Sequence, residues 1–121
     1  MVKNNKQVIG AIGESAVADY LTERGFKILA RNWRIKEGEI DLVAQSPAGK
    51  LHFVEVKTRS SHAFGHPLEA IDRDKAHRLQ KLALAWLVTH NHFGGDYQVD
   101  VAAVTLNNSL HPIIDYRTGI L

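Results

Sequence analysis

Gly38-Glu39-Ile40-Asp41-Leu42-Val43-Ala44 is followed by Gln45-Ser46-Pro47-Ala48-Gly49-Lys50 and then by Leu51-His52-Phe53-Val54-Glu55-Val56-Lys57-Thr58-Arg59. Two apolar runs flank a stretch holding Pro and Gly, whose backbone angles strands avoid, so the segment is expected to form a β-hairpin. Side chains alternate along a strand. In the second run Phe53, Glu55, Lys57 and Arg59 share one face and His52, Val54, Val56 and Thr58 the other. In the first run Glu39, Asp41 and Val43 oppose Ile40, Leu42 and Ala44. Opposed residues of an antiparallel pair point the same way. Burial therefore selects the register that sets Ile40 and Leu42 against Val56 and Val54, because a slip of one residue would mix the faces. That register places Asp41 opposite Glu55, with Lys57 beside them. Two like charges about 5 Å apart repel by roughly 3 kcal/mol at an effective dielectric near 20. Such a pair calls for a cation. Lys57 is one, and hard oxygen ligands also suit magnesium or manganese.

Working outward, the 121 residues are 45% hydrophobic, enough for one core, so 1–121 is expected to be a single domain. There is no cysteine, which excludes disulfides and thiolate metal sites. The first residues, Met1-Val2-Lys3-Asn4-Asn5-Lys6-Gln7, lack the apolar run of a signal peptide, and no run is long enough to span a bilayer. A cytoplasmic protein without membrane attachment is the expectation. Net charge is only +2, yet basic residues bracket the acids: Arg31, Arg34 and Lys36 before them, Lys57 and Arg59 at the end, Arg73, Lys75, Arg78 and Lys81 after. Cations around an acidic centre suit a phosphate backbone, although ordinary solvated charges would read the same way.

Upstream, residues 7–24 carry Ile9, Ala16, Val17, Tyr20 and Leu21 at helical spacing, and Gly25 supplies a left-handed cap. Gly10 and Gly13 on that stripe suggest close approach to a sheet. Glu14 stands at the stripe's edge. Residues 26–33 alternate as a strand, with Trp33 expected to be partly buried, and Arg34 to Glu37 form a charged turn. Downstream, Ser60 to Pro67 has loop composition and borders the acids, with His62, Phe64 and His66 within reach of a substrate. Residues 72–90 form a second helix, capped by Asp72 or Asp74, that buries Ala76, Leu79, Ala83, Trp86 and Leu87. Lys75 opposes the dipole at its start, a cost that hints at use on a phosphate. Residues 97–106 are apolar on both faces, as in a covered central strand. Asp100 is odd there and is expected to pair with an Arg or Lys. Residues 111–116 add an edge strand.

Asp41, a spacer and Glu55-Val56-Lys57 resemble the PD-(D/E)xK nuclease signature in its E-x-K form. The wider pattern resembles the YraN-like family of small bacterial proteins. Its elements here are Gly13-Glu14, Asn32, Gly38-Glu39-Ile40-Asp41-Leu42, Phe53-Val54-Glu55-Val56-Lys57-Thr58-Arg59, Phe64-Gly65, Lys75 and Asp100. Where that pattern usually has an arginine two residues before the last aspartate, this chain has Gln98. The resemblance implies an α/β domain with a restriction-endonuclease-like core, ordered helix, three strands, helix, strand, with helices flanking a mixed sheet. It also implies metal-assisted hydrolysis of phosphodiesters in nucleic acid, with structured or damaged DNA as the expected substrate. Asp41 and Glu55 would hold magnesium or manganese, with the Val56 carbonyl and Glu14 as further ligands. Lys57 would orient water or meet developing charge. Arg34, Arg59, Lys75 and Arg78 would contact phosphates. Junction resolvases, which the family resembles in plan, act as symmetric pairs, so a homodimer is a further expectation. The competing expectation is a nucleic-acid-binding or scaffold protein that keeps the fold without the chemistry.

Overall fold

A computed structural model describes residues 5–60, 72–92, 95–106 and 111–120. The elements are α1 (Asn5–Glu23), β1 (Lys27–Ile35), β2 (Gly38–Gln45), β3 (Leu51–Arg59), α2 (Arg73–Thr89), β4 (Tyr97–Thr105) and β5 (Ile113–Arg117). The strands form one sheet in the order β1-β2-β3-β4-β5. Only the β3–β4 pair is parallel; the other three are antiparallel. Parallel neighbours need a crossover, and α2 lies within it. The protein is thus an α/β fold with a five-stranded mixed sheet and two helices.

β2 and β3 take the register that burial demands, with Leu42 against Val54, Val43 against Phe53 and Ala44 against His52. The turn closes through Gly49 N–H to Ser46 O and Ser46 N–H to Lys50 O. β1 runs on to Ile35, so the charged turn shrinks to Lys36 and Glu37. Arg34 pairs with Glu39 across the ladder and Ile35 packs on the core, which keeps both in the strand.

Each face carries one helix. Ile40, Val43, Phe53 and Val99 meet Leu79, Ala83, Trp86 and Leu87 of α2. Leu42, Ala44, Val54, Val56, Ala102 and Val104 meet Val17, Ala18 and Leu21 of α1. These memberships correct one expectation: Ile40 and Leu42 do not share a face. The alternation breaks at Asp41. β1 breaks in step, since Arg31 bonds to Ser15 on α1 whereas Trp33 packs on the α2 side. Between them Asn32 has φ 51°, a left-handed backbone that short polar side chains tolerate better than most. The pairs Arg31–Leu42 and Trp33–Ile40 set Asn32 directly against Asp41, so the two strands kink together.

Asp100 corrects another expectation. It is fully buried, and among the described residues its hydrogen-bond partners include no Arg or Lys. Its oxygens take hydrogen bonds from Tyr116 Oη (2.6 Å), Gln98 Nε2 (2.7 Å) and the Gly119 N–H (2.9 Å), and His52 Nδ1 lies at 2.7 Å. Gln98 thus serves the aspartate directly. Burial and the adjacent Asp100 push the Tyr116 hydroxyl far above its usual range. Four polar groups around one carboxylate tie β5 and the segment after it to the central strands.

Of the two stripe glycines, only Gly13 is pressed against the sheet. A Cβ there would collide with Thr58 Oγ1 and lie 2.8 Å from Thr58 Cβ, whereas one on Gly10 would meet nothing within 4 Å. Thr58 cannot yield by rotating its side chain, because its Cβ is fixed by the β3 backbone. Gly13→Ala should therefore lower stability by about 1–3 kcal/mol in urea unfolding, the helix-propensity gain notwithstanding. Adding Thr58→Ala should restore part of that loss, because the Oγ1 contact goes and the Cβ contact stays.

Candidate active site

The β2–β3 ladder ends at Leu42 and Val54, while β3 continues beside β4 to Arg59. The break in alternation turns the Asp41 side chain along the sheet into the gap this leaves. There its Oδ2 accepts the Val56 N–H at 2.8 Å, taking the place of a strand carbonyl. The N–H and C=O of one strand residue point to the same edge, so the Val56 carbonyl faces that gap too.

Glu55 is buried, and one of its oxygens has two lysines. Lys57 Nζ and Lys75 Nζ each lie 3.4 Å from Glu55 Oε1. Lys57 comes from the same strand and Lys75 from the first turn of α2, where its backbone N–H bonds the capping Asp72. From the other side, Glu14 of α1 enters beside Asn32. Asn32 Nδ2 donates to Glu14 Oε1 and Glu39 Oε1, both at 3.0 Å, and Arg34 Nη2 reaches Glu39 Oε2 at 3.0 Å.

The electrostatics follow from this crowding. Burial, then the charge of Glu55, pushes the Asp41 carboxyl up to about 8; the Val56 N–H opposes this, and Glu14 and Glu39 add to it. Burial and the neighbouring Lys57 hold the Lys75 ammonium below the usual lysine range, with Glu55 opposing.

Asp41, Glu55, Lys57 and Glu14 are thus brought into one neighbourhood, as expected. Lys75 lies inside it rather than on its rim. Arg34 is tied to Glu39 and largely exposed. Arg59 ends β3 half-buried, its carbonyl accepting the Leu106 N–H. Arg78 is exposed on α2. Trp33 is half-buried against the α2-side core. The loop residues His62, Phe64 and His66 lie outside the described residues. The role of Asn32 escaped residue-by-residue reasoning. Its signal was an asparagine inside a strand, a residue type suited to positive φ and to bridging two acids.

Among the described residues, no three His, Cys, Asp or Glu side chains stand as a ready metal-binding group. The donors that do converge, two carboxylates and the carbonyl edge of Val56, are all hard oxygens, which fits magnesium or manganese rather than a softer metal.

A sequence model described as "Uncharacterised protein family UPF0102" matches residues 13–104. The chain belongs to that family. It is the YraN-like family that the motifs resemble, and the matched span contains Glu14, Asn32, Asp41, Glu55, Lys57 and Lys75. A UPF0102 protein of Beutenbergia cavernae is 43% identical over 115 residues, covering 95% of this chain and 97% of the relative. One from Trichlorobacter lovleyi is 40% identical over 116 residues, covering 96% and 91%. Among solved structures, the calcium complex of Pyrococcus furiosus SfsA is similar at a TM-score of 0.41 and 14% identity, covering 94% of this chain and 64% of that one. Among the described residues, no helix is long and apolar enough to cross a membrane.

The raised Asp41 value sets a pH dependence. Unfolded, this carboxyl loses its proton near 3.8; folded, it keeps it to about 8. Between those values the folded state binds more protons, so stability falls as pH rises and the contribution is gone above the folded value. Asp41→Asn keeps an acceptor for the Val56 N–H without that penalty. From about pH 4 to pH 8, urea unfolding should show wild type losing on the order of 3 kcal/mol more than Asp41→Asn.

Proposed function

We propose that the protein is a metal-dependent nuclease with a restriction-endonuclease-like core, hydrolysing phosphodiesters in nucleic acid, with structured or damaged DNA as the first substrate to test. The observation that carries this reading is the gap between β2 and β3. There Asp41, Glu55 and the Val56 backbone converge, with Lys57 on the same carboxylate.

Asp41, Glu55 and the Val56 carbonyl would hold the cation, and Glu14 would extend the site toward α1. When bound, such a cation lowers the pKa of its water and offsets charge on the reacting phosphate. The chain's own groups supply positioning. The Val56 N–H fixes Asp41 Oδ2. Asn32 fixes Glu14. Lys57, free of its bond to Glu55 once that charge is otherwise neutralised, reaches the phosphate oxygens or an attacking water and stabilises developing negative charge. Arg59, Arg78 and Arg34 lie on flanking elements and offer contacts to neighbouring phosphates.

A second reading is a binding domain that uses the same cluster without hydrolysis. Its support is the pairing of Glu55 with Lys57 and Lys75, which already neutralises one acid.

Cleavage of labelled linear, single-stranded, flap and four-way-junction DNA, with magnesium or manganese, separates the two. The nuclease reading expects cleavage that falls at least about 100-fold in Glu55→Ala and in Lys57→Ala, and that chelation abolishes. DNA binding without cleavage, together with no heat of metal binding, would overturn it in favour of the binding domain.

A further inference from the structure

The Lys75 ammonium is held in place against several opposing effects. It extends from the third residue of α2, where the positive end of the helix dipole disfavours a cation. Its side chain is only 28% exposed. Lys57 places a like charge beside it, on the same Glu55 oxygen. Among the described residues, the acid bonded to Lys75 is Glu55. Asp72 at the cap and Asp74 in the first turn offset part of the dipole, but the Lys75 ammonium itself rests on the Glu55 carboxylate, against lost hydration and the second lysine.

Lys57 and Lys75 differ in how they are tethered. Lys57 is two residues from Glu55 on the same strand face, so even when released from that carboxylate it stays within the site. Lys75 comes from a different element on a flexible four-carbon stem. If the charge of Glu55 is taken up by another cation, the terms that oppose Lys75 remain and the one that holds it is gone.

We propose that Lys75 is an exchangeable counter-ion: it neutralises Glu55 in the metal-free protein and, once a divalent cation occupies that carboxylate, turns to a phosphate of the nucleic acid. The inference rests on the metal-site reading above. It adds an order of events to that reading: Lys75 disfavours the cation, and the cation makes Lys75 available to substrate. Metal and nucleic acid then bind with positive coupling through one side chain.

The test uses manganese titrated calorimetrically into wild type, Lys75→Gln and Lys75→Arg without nucleic acid. Fluorescence anisotropy with a labelled four-way junction follows, with and without calcium. Removing one positive charge next to the ligand oxygen should tighten manganese binding roughly tenfold in Lys75→Gln. Lys75→Arg, which keeps the charge, should stay near wild type. Junction affinity should differ little between wild type and Lys75→Gln without cation, because Lys75 is then engaged with Glu55. With calcium the wild type should gain several-fold more than the variant. Lys75→Met, which keeps the apolar stem, replaces Lys75→Gln should circular dichroism show α2 unsettled. Equal manganese affinity in wild type and variant, with wild type still cleaving, would overturn the exchange and leave the nuclease reading intact. Absence of manganese binding in both, with no cleavage, would overturn the two together.

Discussion

The hydrogen bond from the Val56 N–H to Asp41 Oδ2 is the constraint on which the rest of the site depends. In an uninterrupted ladder that N–H would meet a carbonyl of β2, and the two strands would stay closed. A side chain occupies the place instead, so β2 and β3 part while β3 remains fully paired to β4. The gap keeps its backbone polar groups satisfied on one side and offers a carbonyl edge on the other. The paired kinks at Asn32 and Asp41 aim the carboxylate there, which a regularly alternating strand would have directed into one of the cores.

Charge is arranged in the same place with little regard for stability. Asp41, Glu55, Glu14 and Glu39 come close enough that burial and mutual repulsion keep Asp41 protonated near neutrality. Lysines on Glu55, an asparagine spanning Glu14 and Glu39, and Arg34 on Glu39 offset part of this. Apart from the hydrogen-bonded Asp100 network, the cores on either face are apolar, and the crowded acids lie where β2 and β3 part. Asp41, its carboxyl pushed up by burial and by Glu55, and the partly desolvated Lys75 both lie at this gap.

Period-two alternation was enough to predict the hairpin and its register from Leu42–Val54 to Ala44–His52, because one residue of slip would have buried charges. The pairs expected beyond it, Ile40–Val56 and Asp41–Glu55, do not form, since the strands part there and Asp41 Oδ2 takes the Val56 N–H. Helical spacing likewise predicted the buried faces of α2. What escaped were features where the backbone departs from its period. Ile40 and Leu42 read as one face, but the left-handed Asn32 and the matching break at Asp41 separate them. Asp100 read as half of a pair with a basic residue, yet its partners are His52, Gln98, Tyr116 and a backbone N–H from distant parts of the chain, which local spacing does not encode. Lys75 was legible as anomalous from its place at a helix start, but not as a partner of Glu55, since that contact depends on how α2 crosses the sheet.

The parallel pairing of β3 with β4 bears on how the molecule assembles. β1, β2 and β3 form a meander of near neighbours, whereas Leu51 meets Tyr97 only after the intervening chain has looped back. Loop closure of that length slows pairing, so the meander is positioned to form first and β4 to dock late. During synthesis Glu14, Glu39, Asp41 and Glu55 all leave the ribosome before Lys75, and before the strand that holds β3 in place. The acids are therefore synthesised ahead of the second lysine that bonds Glu55, and that contact can form only once α2 has docked.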